Sequence, residues 1–517
     1  MRTQRSLLNF ATGIVFTAVT TLTALFTTPL LICWLQQERF GAYRMITDWY
    51  GYLTLLDFGL GGALSPLLAR ALGQGDTQVL RGTLAAGMRA YLRLTLLILC
   101  VGLAMTPLVV LVVGVRPALA GDLRLAWIVI LLSFLPLGLA PFRTFAEAHQ
   151  RGYWVNVLLT VQCLLITALS LLFAWTGWGI TGQSWAFALG IITFYLMLAW
   201  AGLRHDPGLW SSPLAAPPAP EIRRAIWNLS LPTLLVSLSG RIGLLSDNLV
   251  AGGFLGPAMA TALYVTVRLA SLAQAQLQAI GAASWAGLAE LHAQGNRDTF
   301  NQRLVELTTL VAVLGLAVLG PIAAYNRHFF NLWVGPKLVT SGGGDLVIVI
   351  AAVNAFLLGL FSLWGWCFAG TGRVRLIVVP SAIATAINLA ASLFLTWRLG
   401  LVDPVLGIAG PVLGTLVANL AVNLWYLPIL LRRSFSISLS AMVMGVAWPL
   451  AWGLPYAAGL WWLAHAHRPW GWPGLIAEMS GAALGFLILS SVVILSATDR
   501  ALWRARLAGL LRFRGEA

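Results

Sequence analysis

Charge is what this sequence has least of. Only 9% of its 517 residues are Asp, Glu, Lys or Arg, against about a quarter in a soluble globular protein, and that shortage excludes a water-soluble fold. Lysine is nearly absent, Lys337 being the one lysine among 32 basic residues. Cysteine is scarce, and Cys33, Cys100, Cys163 and Cys367 show no CxxC or other metal spacing. All four fall within or at the ends of apolar runs and read as small packing residues. Long polar loops are missing too, so no soluble domain is inserted. The longest loop, residues 204–224, is proline-rich and reads as a linker.

What the chain has instead is apolar sequence, 59% of all residues. Runs of about 20 residues recur along its length, each able to cross a hydrocarbon core of roughly 30 Å. Fourteen spans are expected, centred near residues 20, 57, 100, 134, 165, 191, 240, 272, 317, 357, 386, 419, 450 and 484. The first is too long for the apolar core of a cleavable signal peptide and is expected to stay as a permanent helix. A net charge of +15 would suggest nucleic acid in a soluble protein, but here the arginines follow topology. With the N-terminus inside, 22 basic residues collect on the cytoplasmic side and seven on the other. Arg44, Arg241 and Arg268 belong to neither. That asymmetry predicts both termini inside.

The two halves resemble one another. LARALGQGD (68–76) lies over LAELHAQGN (288–296) without a gap, and at nearly the same offset PLGL (136–139) meets LLGL (357–360) and Gly152 meets Gly372. Six spans separate equivalent points, so both halves enter the membrane in the same direction, related by a pseudo-two-fold axis along the membrane normal. The expected architecture is all-α. It comprises an N-lobe (1–203, six helices), a linker (204–224), a C-lobe (225–433, six helices), two further spans (434–498) and a basic amphipathic tail (499–517).

Two stretches then point to a family. FGAYRMITDWYGYLTLLDFGLGGALSPLLARALGQGD (40–76) and LLSDNLVAGGFLGPAMATALYVTVRLASL (244–272) resemble the polysaccharide flippases of the multidrug/oligosaccharidyl-lipid/polysaccharide exporter superfamily. The resemblance implies transfer of an undecaprenyl-diphosphate-linked oligosaccharide, by alternating access, to the outer leaflet of a bacterial inner membrane. The lipid II flippases of that superfamily are similar in helix count, their last two helices bordering a groove for the lipid tail. The partners implied are the lipid-linked glycan, membrane lipids and polysaccharide polymerase or assembly proteins, with the transporter itself a monomer and no nucleic acid involved.

A diphosphate headgroup needs planar, bidentate donors that stay charged in a poorly hydrated cavity, and arginine provides them better than lysine. Arg241 lies roughly 24 Å along the seventh span and Arg268 roughly 16 Å below the outer surface on the eighth. Both are candidate substrate-binding residues. The alternative is that one of them simply pairs with Asp247. Arg44 and Asp48 share a helical face near the outer end of the second span. They form either a solvated pair or, through Arg44, part of an outer binding cavity. Arg81, Arg89 and Arg93 at the inner end of the third span either recruit the headgroup or contact anionic lipid.

One stretch breaks the apolar pattern, LLDFGLGGALSP (55–66). An acid at mid-membrane costs roughly 2.5 to 3.5 kcal/mol, so Asp57 is expected to face the protein interior. There it would exchange a proton, hold Na+ or pair with an arginine, or else be a static hydrogen-bonded acid, and Asp57 and Asp247 are the candidate ion-coupling residues. No cofactor is expected beyond that coupling ion. Gly59, Gly61, Gly62 and Pro66 predict a hinge, with a kink over residues 61–66.

Other signals point to less. Glu306 is expected to reach water, the EAH (147–149) and ELH (290–292) motifs to be solvated caps, and His465 and His467 to be a poor metal site. Two further functions stay open on the sequence. A cation antiporter of the same superfamily is disfavoured by the excess of arginines. An enzyme acting on lipid-linked sugars is disfavoured by outer loops that are short and poor in acids.

Overall fold

The computed structural model describes residues 2–57, 60–205, 246–335 and 344–494. All regular structure among them is helical, as expected where the surroundings offer the backbone no hydrogen-bond partner. Eleven segments among the described residues are long and apolar enough to cross a membrane. The first, Leu8–Asp57, holds two expected spans, because Gln36 leaves helical geometry at φ 65 and ψ 166. The seventh span is described as a helix over residues 246–255, and the eighth is divided into Pro257–Thr266 and Arg268–Ala293. With these, helical structure stands at thirteen of the fourteen expected centres; the seventh, near residue 240, lies outside the described residues. The linker beyond His205, Arg241, Gly59 and the basic tail lie outside the described residues.

The described residues form two compact units, one running to Tyr264 and including Ser381–Gly414, the other comprising Val265–Pro380 and the residues from Thr415 on. The chain changes unit at three places, each inside a helix. The first unit is built around Trp127, Phe134, Leu64, Met45 and Ile46, all buried. Trp127 buries its indole without an orphaned donor, since its Nε1 donates to the Gly102 carbonyl at 2.9 Å. In the second unit Phe300, Phe368 and Phe435 pack ring against ring, with centroids 5.1 and 5.4 Å apart about Phe435. There Trp364 donates to the Thr308 hydroxyl at 3.1 Å.

The repeat is a turn. Gly75 (φ 69) and Gly295 (φ 73) take the left-handed conformation that ends a helix. Their N–H groups bond the carbonyls of Leu72 and His292, and the following Asp76 and Asn296 bond those of Ala71 and Leu291. Asp76 and Asn296 then cap the next helix, accepting from Gln78 and Val79 and from Thr299 respectively. A second matched pair follows, with one correction to the sequence alignment. The counterpart of Gly372 (φ 72) is Gln150 (φ 56), two residues before Gly152. Gln150 and Arg151 bond Glu147 and Ala146 as Gly372 and Arg373 bond Ala369 and Phe368.

The interruption of the second span is displaced from where the glycines suggest. The α-helix stops at Thr54, a 3-10 turn covers Leu55–Asp57, and the α-helix from Leu60 runs through residues 61–66 to Gly73. The Tyr91 hydroxyl of the third span reaches the Asp57 carboxylate and the Gly61 backbone, so a side chain inserted into the ladder accompanies the break. Three further irregularities have no counterpart in the sequence reading. The eighth span breaks at Val267 (φ -85, ψ 0), and Asn326 Nδ2 donates to the Thr266 carbonyl beside that break at 3.3 Å. Pro380 stands inside the helix Arg375–Gly400. A π turn, Asn419–Asn423, interrupts the twelfth span.

Candidate functional site

The sequence puts an acid four residues after an arginine on one helical face, and in the first unit that face meets residues 246–264. Arg44 lies with its guanidinium carbon 4.3 Å from the centre of the Tyr264 ring, a geometry that lets a cation stay charged away from water. Its Nε is buried and donates no hydrogen bond to the described residues. Asp48 is only 5% exposed, and its Oδ2 accepts from Asn248 Nδ2 at 3.0 Å. The acid is therefore covered rather than solvated, while Arg44 keeps partial exposure, and the acid's amide partner comes from 200 residues away.

Asp247 stands beside Asn248, near enough to Asp48 for the two carboxylates to repel. Its Oδ1 is buried and accepts no hydrogen bond from the described residues. Tyr52 closes that end, its hydroxyl bonded to Ser246. Two close backbone approaches hold the helices together. The Thr261 hydroxyl donates to the Gln37 carbonyl at 2.7 Å, and a Cβ on Gly41 would lie 1.8 Å from the Pro257 carbonyl oxygen. Only glycine fits there. The result is a half-buried cluster of one guanidinium, two carboxylates, an amide and two phenols.

Arg268 is the first residue of the helix Arg268–Ala293, directly after the Val267 break, in the second unit. Asp57 faces inward as expected, but its described partner is Tyr91, with Tyr195 close by. The cluster at the third span is not uniform, since Arg93 is exposed while Arg81 and Arg89 are half-buried with Arg89 Nε covered. Of the hinge residues, Gly61 lies against the Tyr91 hydroxyl, 3.4 Å from where a Cβ would stand. The surroundings of Gly62 and Pro66 lie outside the described residues.

Sequence reasoning missed Asn248 and Tyr264. Asn248 was visible as the neighbour of Asp247, and Tyr264 lies one helical turn before Arg268. Nothing in local periodicity says that either meets the second span.

Several weaker expectations change. Glu306 is paired with Arg303 at 2.6 Å. His465 and His467 each meet a carboxylate, Asp345 at 3.4 Å and Glu478 at 3.3 Å, in different directions. Of the cysteines Cys367 is buried, whereas Cys33 and Cys100 are exposed. The histidines of EAH and ELH are packed, His149 on Phe145 and His292 on Phe300 and Phe435.

His292 sits where its helix ends at the repeat turn. Burial, with the guanidinium groups of Arg373 and Arg297, holds its imidazole below the ordinary 6.5. The folded protein therefore binds that proton less well than the unfolded chain, and the contribution is full above pH 6.5 and lost as pH falls below it. Thermal unfolding of the purified protein is expected to drop between pH 7.5 and 5.5 by more in wild type than in His292→Gln. Equal drops would remove His292 from the account.

The solved structures most informative here share the fold at low identity. A lipid II flippase, MurJ, in an inward closed conformation aligns with a TM-score of 0.68 at 11% identity, covering 93% of this chain and 99% of that one. An inward-facing multidrug resistance MATE transporter of the same superfamily gives 0.58 at 16%, covering 87% and 98%. A superfamily transporter from Pyrococcus furiosus, described as having a binding pocket of reversed polarity, gives 0.58 at 16%, covering 89% and 96%. No curated protein sequence matches the chain. The polysaccharide biosynthesis protein family matches residues 7–286, a stretch that includes both motif regions and the half-buried cluster. The chain belongs to that polysaccharide biosynthesis protein family, and it shares the fold of the solved multidrug transporter and lipid II flippase.

Proposed function

We propose that this transporter moves a polyprenyl-diphosphate-linked oligosaccharide across the bacterial inner membrane by alternating access, with both termini in the cytoplasm. The observation that carries the proposal is Arg44, a partly buried guanidinium seated on a tyrosine face, whose covered Nε–H is not spent on the described residues. Such a group is already partly desolvated, so an arriving diphosphate gains charge-assisted bonds while stripping less water from the arginine. Asp48 balances its charge while the site is empty. Arg268, and Arg241 outside the described residues, are the further donors in this scheme. The sugar headgroup enters the protein and the polyprenyl chain remains in lipid.

Asp57 is the coupling residue in the same scheme. A carboxyl held by Tyr91 in the second span is suited to take up and release H+ or Na+ as its surroundings change.

One observation favours a second reading. The described cluster holds two carboxylates, Asp48 and Asp247, against one guanidinium, and an acid excess suits a small organic cation. A single experiment separates the two. Wild type, Arg44→Ala, Arg268→Ala and Asp57→Asn are reconstituted in liposomes and given either a lipid-linked oligosaccharide or a labelled organic cation, with and without a pH or Na+ gradient. Loss of most oligosaccharide transfer in the arginine variants, and of gradient dependence in Asp57→Asn, is expected. Undiminished transfer in both arginine variants would overturn the diphosphate role, and cation uptake by wild type alone would establish the second reading.

A further inference from the structure

The second unit contains a cavity of about 380 Å³ beside the turn that carries the repeat, and the transport scheme does not use it. Its wall is apolar, formed by Gly287, Leu288 and Leu291 on the helix Arg268–Ala293 and Leu307 on the helix Arg297–Trp333. Arg303 and Glu306 complete it, joined by an Nη1 to Oε2 bond of 2.6 Å.

The level of the cavity follows from helix rise. Arg303 lies roughly 9 Å from the start of its helix, and Gly287 roughly the same distance from the end of the preceding one. The interfacial layer of a bilayer is about 5 to 8 Å deep on each side, so the charged pair stands near its inner boundary. Trp285, on the turn before, is 40% exposed and stacks on Trp366 with centroids 6.2 Å apart. Tryptophan favours that same level.

A cation alone would suit any phospholipid phosphate, and an anion alone would repel it. A guanidinium and a carboxylate together, one turn apart beside an apolar wall, match a headgroup that carries a phosphate and a primary ammonium on the same short arm. We propose that this cavity binds phosphatidylethanolamine as a structural lipid. The phosphate takes the remaining donors of Arg303, the ammonium donates to Glu306, and the start of an acyl chain lies on Leu288, Leu291 and Leu307.

The requirement for hydrogen atoms on the nitrogen gives the proposal its specificity. Phosphatidylcholine has the charge but no N–H to donate, and phosphatidylglycerol has the phosphate but no cation. Gly287 offers a variant that spares the fold. A Cβ there meets nothing within 4 Å, so the backbone has room for a side chain, Gly287→Phe sets a ring at the cavity, and it improves helix propensity.

The test is native mass spectrometry of the full chain after delipidation, titrated with phosphatidylethanolamine, phosphatidylglycerol and phosphatidylcholine of identical acyl chains. Phosphatidylethanolamine is expected to be retained about fivefold better than either competitor, the size of one partly buried ion pair. Glu306→Gln should erase that preference, and Gly287→Phe should abolish retention while leaving thermal unfolding at or above wild type. Equal retention of the three lipids by wild type, or undiminished retention in Gly287→Phe, would overturn the proposal. So would displacement of phosphatidylethanolamine by polyprenyl diphosphate, which would place the cavity on the substrate path instead.

Discussion

Replacing Gly41 with valine is expected to slow transport at least about tenfold, the effect of a bias of roughly 1.4 kcal/mol on the populations of two states. The basis is a distance. A Cβ at position 41 would sit 1.8 Å from the Pro257 carbonyl oxygen and 2.8 Å from the Thr261 hydroxyl, and neither backbone can yield that much while Thr261 is bonded to Gln37. The clash bears on the arrangement in which Arg44 lies on Tyr264 and Asp48 takes Asn248. A cycle that must visit that arrangement is slowed in proportion to its lost population.

Two readouts keep the outcome interpretable. Transport is measured in liposomes, and in a background free of the native cysteines Asn248→Cys is labelled in detergent with a water-soluble maleimide. Faster labelling together with slower transport in Gly41→Val is the expected pair. Wild-type transport in the variant would mean that the Gly41–Pro257 approach is not part of the working cycle.

The second large effect concerns stability. Asp122, on the helix Ala120–Leu131, caps the sixth span from outside that helix. Its carboxylate accepts from the N–H groups of Ile180 at 2.9 Å and Thr181 at 3.0 Å, and from the Thr181 hydroxyl. These are donors that a helix leaves unsatisfied at its start, and the charge also complements the helix dipole. Asp122→Ala leaves them in an apolar setting, with an expected loss of about 3 kcal/mol. Asp122→Asn should fall between, since an amide oxygen still accepts but the amide NH2 faces a second N–H. The apparent Tm in one detergent is the measurement. If alanine and asparagine both match wild type, the cap carries no stability.

Much of the architecture could be read from the residues because its causes are local. An apolar run of about 20 residues has few alternatives to a membrane helix, and each expected span centre that falls among the described residues is helical. Q-G-[DN] could be read as a repeated element because its glycine and its capping side chain act within a few residues. The inward-facing Asp57 was legible for the same reason, an acid in an apolar run having to find cover.

The misses have distant causes. Whether the Arg44–Asp48 pair meets water or protein depends on Asn248 and Tyr264, and strand-free periodic sequence contains no register between helices so far apart. The Val267 break falls in TVRL, which holds neither glycine nor proline, beside a carbonyl claimed by Asn326. The second span offered the opposite difficulty. Its glycines and proline suggested residues 61–66, while the interruption lies at Leu55–Asp57, where Tyr91 reaches in.

Three spans begin in one compact unit and finish in the other, and each has an irregularity in its hydrogen-bond ladder close to the crossing. The first crossing, at Tyr264, is followed at once by the Val267 break, the second falls at Pro380, and the third, at Gly414, is followed by the π turn at Asn419–Asn423. Proline removes one rung of the ladder, and a π turn shifts its phase. Torque applied to a helix in one unit thus meets a compliant joint close to each crossing. Each of the three crossings lies beside a locally weakened stretch of hydrogen-bond ladder.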